Sequence, residues 1–221
     1  MVMGAFNEAS VIGEVVRELR VHHGQVVVVD DGSGDQTALR GAEAGAVVLR
    51  HVINRGQGAA LQTGFTYCLR HGAQFILTFD ADGQHSVTDV DRLLGPLLRG
   101  EADVAFGSRF LGEAPGMPRR RRILLKLGVL FTRLASGARL TDTHNGIRAF
   151  TREAASRIRI SEDRMAHASE LIDQVVANDL RYLEVPVTIR YTGYSMAKGQ
   201  KASGSFGIVL NYLFRKLLGP A

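Results

Sequence analysis

Two rhythms of apolar residues alternate along the first half of the chain. At residues 8–20, Val11, Ile12, Val15, Val16 and Leu19 fall on one face at helical spacing, which predicts a helix. Residues 25–30 read QVVVVD, an unbroken apolar run ending in a carboxylate, the pattern of a strand covered on both faces. The two signals then repeat. Residues 36–43, 58–71 and 87–98 carry helical spacing, the last interrupted near Gly95-Pro96. Residues 46–49, 75–79 and 104–107 read as short strands, and Val2-Met3 as the end of a first one. Strands and helices in alternation predict an α/β domain built on a mostly parallel sheet.

The second half is less regular. Residues 111–118 read as loop, 119–135 as a basic amphipathic helix, and 141–150 as a turn leading into a short strand. A helix is expected over 169–177 and a strand over 182–191, which contains Pro186. Residues 193–205 are rich in Gly, Ser and Lys and read as a mobile segment; 205–218 form a final apolar helix. No linker divides the chain, so one domain is expected over 1–204, with residues 205–221 as an appended amphipathic helix.

Composition narrows the class. The 221 residues are 45% hydrophobic and 22% charged, enough apolar material for a packed core and unlike a disordered chain. Cys68 is the single cysteine, so neither an internal disulfide nor a paired-cysteine zinc site is available, and a reducing cytoplasmic setting is expected. No run of about 18 uncharged apolar residues predicts a membrane span, and residues 1–10 lack the pattern of a signal peptide. The 27 Lys and Arg outnumber the 22 Asp and Glu, a net charge of +5. That excess suits a nucleic acid, an anionic small substrate or an anionic membrane, and its placement decides between them.

The acidic residues gather where strands end. Asp80-Ala81-Asp82 follows the apolar run 75–79 directly, at the sheet edge where open α/β proteins bind ligands. Two carboxylates so placed can converge on Mg²⁺ or Mn²⁺, which prefer a few protein oxygens plus substrate phosphates; a solvated acidic turn is the plainer alternative. Asp30-Asp31-Gly32-Ser33-Gly34-Asp35 ends the earlier strand in the same way. Two such strand ends suggest a nucleotide site, with one carboxylate for base or ribose and the other pair for metal, while Ser33 or Asp35 equally suits a helix cap. Residues 54–60 (NRGQGAA) form a glycine-rich turn opening a helix, able to bring backbone N–H groups or Arg55 to a phosphate, or simply to make the turn.

Taken in order, these segments resemble family 2 glycosyltransferases, closest to the dolichyl- or polyprenyl-phosphate mannosyltransferase-like branch. Phe6-Asn7-Glu8 resembles the family's aromatic-Asn-Glu motif, residues 27–37 (VVVDDGSGDQT) its VVDDGSxDxT, and 54–60 its NxGkGaA. Asp80 to His85 (DADGQH) resembles its metal motif, Phe106 to Arg109 its GSR segment, and 142–150 (DTHNGIRAF) its acceptor-side turn. Glu184-Val-Pro-Val187 with Gly193, Ser195 and Lys198 resembles the closing segment. The resemblance covers residues 4–201. Gly4 stands where many relatives have Pro, and Gly83 where some have Leu.

The resemblance implies a GT-A-like (Rossmann-like) α/β fold, a mostly parallel sheet flanked by helices. It implies inverting transfer of a sugar from a nucleotide-diphosphate sugar, GDP-mannose or a UDP-sugar, to a polyprenyl (dolichyl-like) phosphate. Donor contacts are expected from Phe6, Asn7, Glu8, Asp30, Asp31, Gly32, Ser33, Arg55, Gly56, Gly58, Asp80, Ala81 and Asp82, and metal contacts from Asp80, Asp82 and Gln84. A lipid phosphate is already anionic and needs no base; Arg109 and Arg148, with Ser195 and Lys198, are then acceptor-side candidates. Either arginine equally suits a surface ion pair. A hydroxyl acceptor on a glycan, protein or small molecule would need a base. Glu170 is the first candidate, because related enzymes carry an acid in this segment, and His144 and His167 follow. The remaining alternative is a catalytically silent nucleotide-sugar-binding subunit.

The basic excess has a definite place. Arg119, Arg122, Lys126 and Arg133 fall within about 60° of one another on a helix that is otherwise mostly apolar. That pattern reads as an element lying on anionic lipid, or as a core helix with one solvated face. No interleaved aromatics accompany it, which argues against nucleic acid. The enzyme is therefore expected in the cytoplasm, peripheral on the inner face of the membrane. The segment 205–221 is expected to touch membrane, a small membrane-protein partner or a second copy in a homodimer.

Overall fold

The computed structural model describes residues 1–191. In chain order the elements are β1 (Val2–Ala5), α1 (Ile12–His23), β2 (Val27–Asp30), α2 (Thr37–Glu43), β3 (Val47–Arg50), α3 (Gln57–Arg70) and β4 (Phe75–Thr78). Then follow α4 (Asp89–Leu98), β5 (Val104–Glu113), α5 (Arg119–Ser136), β6 (Arg148–Thr151), α6 (Arg152–Arg157), α7 (His167–Ala177) and β7 (Tyr182–Thr188). The strands form one sheet in the order β3-β2-β1-β4-β6-β5-β7. β1, β2, β3 and β4 pair in parallel, as do β5 and β7, while β6 runs antiparallel between β4 and β5. This is the expected α/β class with a mostly parallel sheet, in a GT-A arrangement.

The alternation of side chains explains the apolar runs. Met3, Val28 and Leu77 enter one core with Ile12, Val16 and Leu19 of α1 and Val90 and Leu93 of α4. Val2, Val27, Val29 and Ile76 face the opposite way, onto Leu61 and Phe65 of α3 and Leu171 and Ile172 of α7. Both faces are covered, so these positions of β1, β2 and β4 are apolar.

Several elements differ from the sequence reading. α1 starts at Ile12 rather than at residue 8, because Asn7 adopts a left-handed φ of 54° and residues 8–11 make a turn. α4 runs through Pro96 unbroken: Val90, Leu93, Pro96 and Leu97 share one buried face, and that packing outweighs the lost amide. β5 continues to Glu113, past an irregular register between Ser108 and Glu113, so part of the expected loop is strand. β7 ends at Thr188. α6 has no counterpart in the sequence reading, although Thr151 caps it by accepting from the Ala154 amide at 3.2 Å. Gly193, Ser195, Lys198 and the helix expected over 205–221 lie outside the described residues.

Candidate active site

β4 ends in the core, and the chain then emerges at the carboxyl edge of the sheet as Asp80-Ala81-Asp82. Both oxygens of Asp80 are engaged: Oδ1 accepts from Gln57 Nε2 at 3.0 Å, and Oδ2 lies 2.9 Å from His85 Nε2. Asp82 Oδ1 accepts from the Gln84 amide at 3.1 Å, which folds the loop back beside the carboxylates. Gly146 lies flat against Asp80, and a Cβ there would run into the carboxylate. Burial, and then the neighbouring Asp80 charge, push Asp82 up to about 6. Burial acts the same way on Asp80, but the hydrogen bond and charge of His85, with the Arg148 charge, outweigh it and hold Asp80 below the usual carboxylate range.

The Asn-Glu and Asp-Gly-Ser motifs are joined to each other. Ser33 Oγ accepts from the Asn7 amide at 2.9 Å, and Asn7 Oδ1 accepts from the Gly34 amide at 3.0 Å. Thr37 Oγ1 accepts from the Glu8 amide at 2.7 Å, and Asp35 Oδ2 from the Ala9 amide at 3.2 Å. Asp35 is not the cap residue of α2, though its Oδ1 accepts from the Thr37 amide at 2.9 Å.

Asp30 and Asp31 hold loops in place. Asp30 is fully buried, accepts from the Ser33 amide at 3.1 Å and pairs with Arg50 at 3.1 Å. Asp31 accepts from the Arg55 amide at 3.0 Å and the Gly56 amide at 2.6 Å, and meets His51 Nδ1 at 2.7 Å. His51 Nε2 in turn meets Thr63 Oγ1 at 2.9 Å. The glycine turn is thereby closed over the start of α3. Gly58 packs under the 162–163 backbone, where any Cβ would strike the Glu162 carbonyl.

On the other side, Arg109 is buried and clasped. Its Nε donates to Asp142 Oδ2 at 2.6 Å, one terminal nitrogen to the His144 carbonyl at 2.8 Å, and the other to the Tyr191 hydroxyl at 2.8 Å. Glu184 supports this turn from β7, accepting from the Thr141 amide at 2.8 Å and the Asp142 amide at 3.0 Å. Arg148 stands on β6 opposite Thr78 and Phe106, buried, with no hydrogen-bond partner at Nε. Burial pushes it down to about 10, so it stays charged at neutral pH facing Asp80 and Asp142.

These parts surround one cleft of 1060 Å³. Of the residues expected at the site, Phe6, Glu8, Asp31, Gly56, Asp80, Ala81, Asp82, Gln84 and Arg109 line it. Asn7, Asp30, Gly32, Ser33, Arg55, Gly58 and Arg148 are not on its lining. Glu170 is not either: its carboxylate accepts from the Ser161 amide at 3.0 Å, the Glu162 amide at 2.9 Å and the Ser161 hydroxyl, holding the loop before α7. Of the two histidines named as candidate bases, His144 lines the cleft, as His85 does, and His167 is buried and bonds the Arg164 carbonyl at 2.7 Å. Gln57, His51 and Tyr191 carry roles that the sequence reading did not assign. The signal for Gln57 was its position where the family pattern has Lys.

The far wall is α5. Arg120, Arg121, Ile123, Leu124 and Leu127 line the cleft, and of the helix only Thr132 is buried. Ile123, Leu127, Leu130 and Leu134 are 61%, 58%, 53% and 79% exposed. Their spacing places them on one stripe within about 60°, beside the basic residues. The core-helix alternative therefore does not describe it. No described helix is long and apolar enough to cross a membrane.

The donor set suits a hard divalent cation. Asp80, Asp82 and Gln84 offer oxygens on the cleft wall, and among the described residues no three His, Cys, Asp or Glu converge as a closed metal cage. Mg²⁺ and Mn²⁺ are commonly held by one or two carboxylates, with phosphates and water completing the shell.

A mostly parallel sheet with β6 reversed, and carboxylates at its carboxyl edge along one cleft, is the arrangement of a GT-A glycosyltransferase. Residues 1–159 match Glycosyl transferase family 2, and the chain belongs to that family. It is 30% identical over 240 residues to the UDP-N-acetylglucosamine–dolichyl-phosphate N-acetylglucosaminyltransferase of Methanococcus voltae, covering 98% of this chain and 95% of that one. It is 35% identical over 200 residues to the polyprenol monophosphomannose synthase of Mycolicibacterium smegmatis, covering 81% and 74%. The crystal structure of glucosyl-3-phosphoglycerate synthase from Mycobacterium tuberculosis with Mn²⁺ and UDP-glucose superposes with a TM-score of 0.72 at 19% identity. The match covers 100% of this chain and 79% of that one, a likeness of fold.

Proposed function

We propose that this enzyme transfers a hexose or N-acetylhexosamine from a nucleotide-diphosphate sugar to a polyprenyl phosphate, with inversion and with Mg²⁺ or Mn²⁺. The observation that carries this is the cleft with two unlike walls: Asp80, Asp82 and Gln84 on one side, Arg120, Arg121, Leu124 and Leu127 on the other. The first suits a cation and a diphosphate; the second suits a phosphate with a hydrocarbon tail. The names of the two enzymes to which it is similar fit the same acceptor class.

Asp80 and Asp82, with Gln84, would hold the cation, which when bound supplies Lewis-acid stabilisation of the departing nucleoside diphosphate. Gln57 and His85 fix the orientation of Asp80. Asp31 fixes the glycine turn whose Gly56 and Asn54 line the donor side. On the acceptor side, a phosphate oxygen attacks the anomeric carbon from the face opposite the diphosphate; the new C–O bond forms as the old one breaks. The phosphate is anionic near neutral pH, so no proton need be removed, consistent with Glu170 facing elsewhere. Arg109 lines the cleft and keeps two N–H groups beyond its three clasps, and Arg148 balances the Asp80 charge.

The α5 stripe is the proposed contact with the anionic inner face of the membrane, where the acceptor resides. A thermal-shift panel of GDP- and UDP-sugars, with and without Mn²⁺, tests the donor half. One donor class should raise Tm, and more so with the cation; no shift with any nucleotide sugar would contradict it.

A further inference from the structure

We propose that Tyr191 is a positioning residue that couples α5 to the acceptor-side Arg109; this rests on the polyprenyl-phosphate reading above. Residues 189–191 leave β7 and cross three parts of the site. The Ile189 amide donates to the Glu113 carbonyl at 3.0 Å, the Arg190 amide to the Gln84 carbonyl at 2.9 Å, and the Tyr191 amide to the Pro115 carbonyl at 3.3 Å. His85 bridges to Ile189. Tyr191 is thus tied by its backbone to the strand extension and sits beside the carboxylate loop.

Its side chain faces two arginines. The hydroxyl accepts from Arg109 at 2.8 Å, and the Arg121 guanidinium lies over the ring, 5.1 Å from its centroid. The other two clasps on the Arg109 guanidinium, Asp142 and the His144 carbonyl, both come from the single turn at 142–144. Among the described residues Tyr191 is the one clasp contributed from elsewhere, and it meets α5 through the Arg121 guanidinium, whereas the 142–144 turn meets α5 through the His144 ring beside Gly128. A planar guanidinium fixed at three nitrogens has its remaining N–H groups fixed in direction as well. Without the hydroxyl, Arg109 pivots about the 142–144 turn and presents those groups less well.

The geometry of α5 makes this contact responsive to the surface. Arg121 lies about 160° round the helix from Ile123, on the side away from the exposed stripe. A helix lying on lipid through Ile123, Leu127, Leu130 and Leu134 keeps Arg121 turned toward Tyr191. Binding of α5 to the surface then steadies Arg109, and the gain falls on the acceptor phosphate and not on the donor.

Tyr191→Phe keeps the ring under Arg121 and removes only the hydroxyl. It is expected to raise the acceptor KM about tenfold, with the donor KM and kcat at saturating acceptor within about twofold of wild type. Arg121→Ala should act in the same direction and add little when combined with Tyr191→Phe or, should that variant not fold, with Tyr191→His; losses that simply add would mean that Arg121 meets the phosphate directly and overturn the coupling. Calorimetric titration with farnesyl phosphate reads the same effect without turnover, expected about tenfold weaker in Tyr191→Phe. Unchanged farnesyl phosphate affinity overturns the proposal, as does an equal loss toward donor and acceptor with a lowered Tm, or wild-type protein that does not bind the phosphomonoester. Wild-type protein that binds farnesyl phosphate more tightly than Tyr191→Phe yet transfers no sugar to polyprenyl phosphate supports the positioning role and instead refutes the acceptor assigned above.

Discussion

Asp80 and Asp82 stand two residues apart and are displaced in opposite directions, Asp80 below the carboxylate range and Asp82 up to about 6. A cation bound beside them would remove that conflict. Asp82→Ala should lower Mn²⁺-dependent transfer at least about 10²-fold and weaken calorimetric Mn²⁺ binding, with Tm unchanged; full turnover in the variant would remove Asp82 from the metal site. His167 gives a second test. Burial, and then the Arg148 charge, push it down to about 4 from 6.5. The unfolded chain therefore takes up that proton first as pH falls, and stability is lost from about pH 6.5 down to about pH 4. Asp82 works in reverse, since the folded chain binds its proton first as the pH falls through about 6. Comparison with His167→Gln isolates the histidine: the stability advantage of wild type over the variant should shrink by about 3 kcal/mol between pH 7 and pH 4 in urea titrations. Parallel pH curves would refute it. The carboxylates at the strand ends were legible in the sequence because a buried run points straight at them. Gln57, His51 and Tyr191 were not, because they act on partners 23, 20 and 82 positions away and leave no periodic trace.

Elements with a clean rhythm, such as β2 and α3, were readable from the chain. The ones that escaped were decided by tertiary contact. Pro96 marks a break in the sequence yet is packed into the buried face of α4, and β5 outruns its apolar core because Glu113 pairs with Thr188. The antiparallel β6 also could not be read, since only its neighbours β4 and β5 set its direction. For α5 the sequence left a core helix and a surface helix equally open, and exposure decided it. Leu130→Glu with Leu134→Glu, both exposed and off the cleft lining, should weaken co-sedimentation with anionic vesicles at least about tenfold, since each leucine loses apolar transfer worth roughly 2 kcal/mol. Folding and transfer to a short water-soluble acceptor should be retained. Equal vesicle binding by the variant would take α5 out of the membrane contact.

Across the whole molecule, the charge of +5 is unevenly placed. Residues 114–141 hold seven Lys and Arg and no Asp or Glu, whereas Asp80 and Asp82 lie on the opposite wall of the cleft. A basic, apolar outer wall and an acidic inner one fit an enzyme that takes its acceptor from an anionic surface and its donor from water. The most direct measurement is transfer from a labelled nucleotide sugar, chosen by the thermal-shift panel, to polyprenyl phosphate in the presence of Mn²⁺. The account predicts label in the organic phase as a mild-acid-labile sugar phosphodiester of inverted anomeric configuration, lost on chelation. Label that stays in the aqueous phase, or that appears only on hydroxyl acceptors, would contradict it.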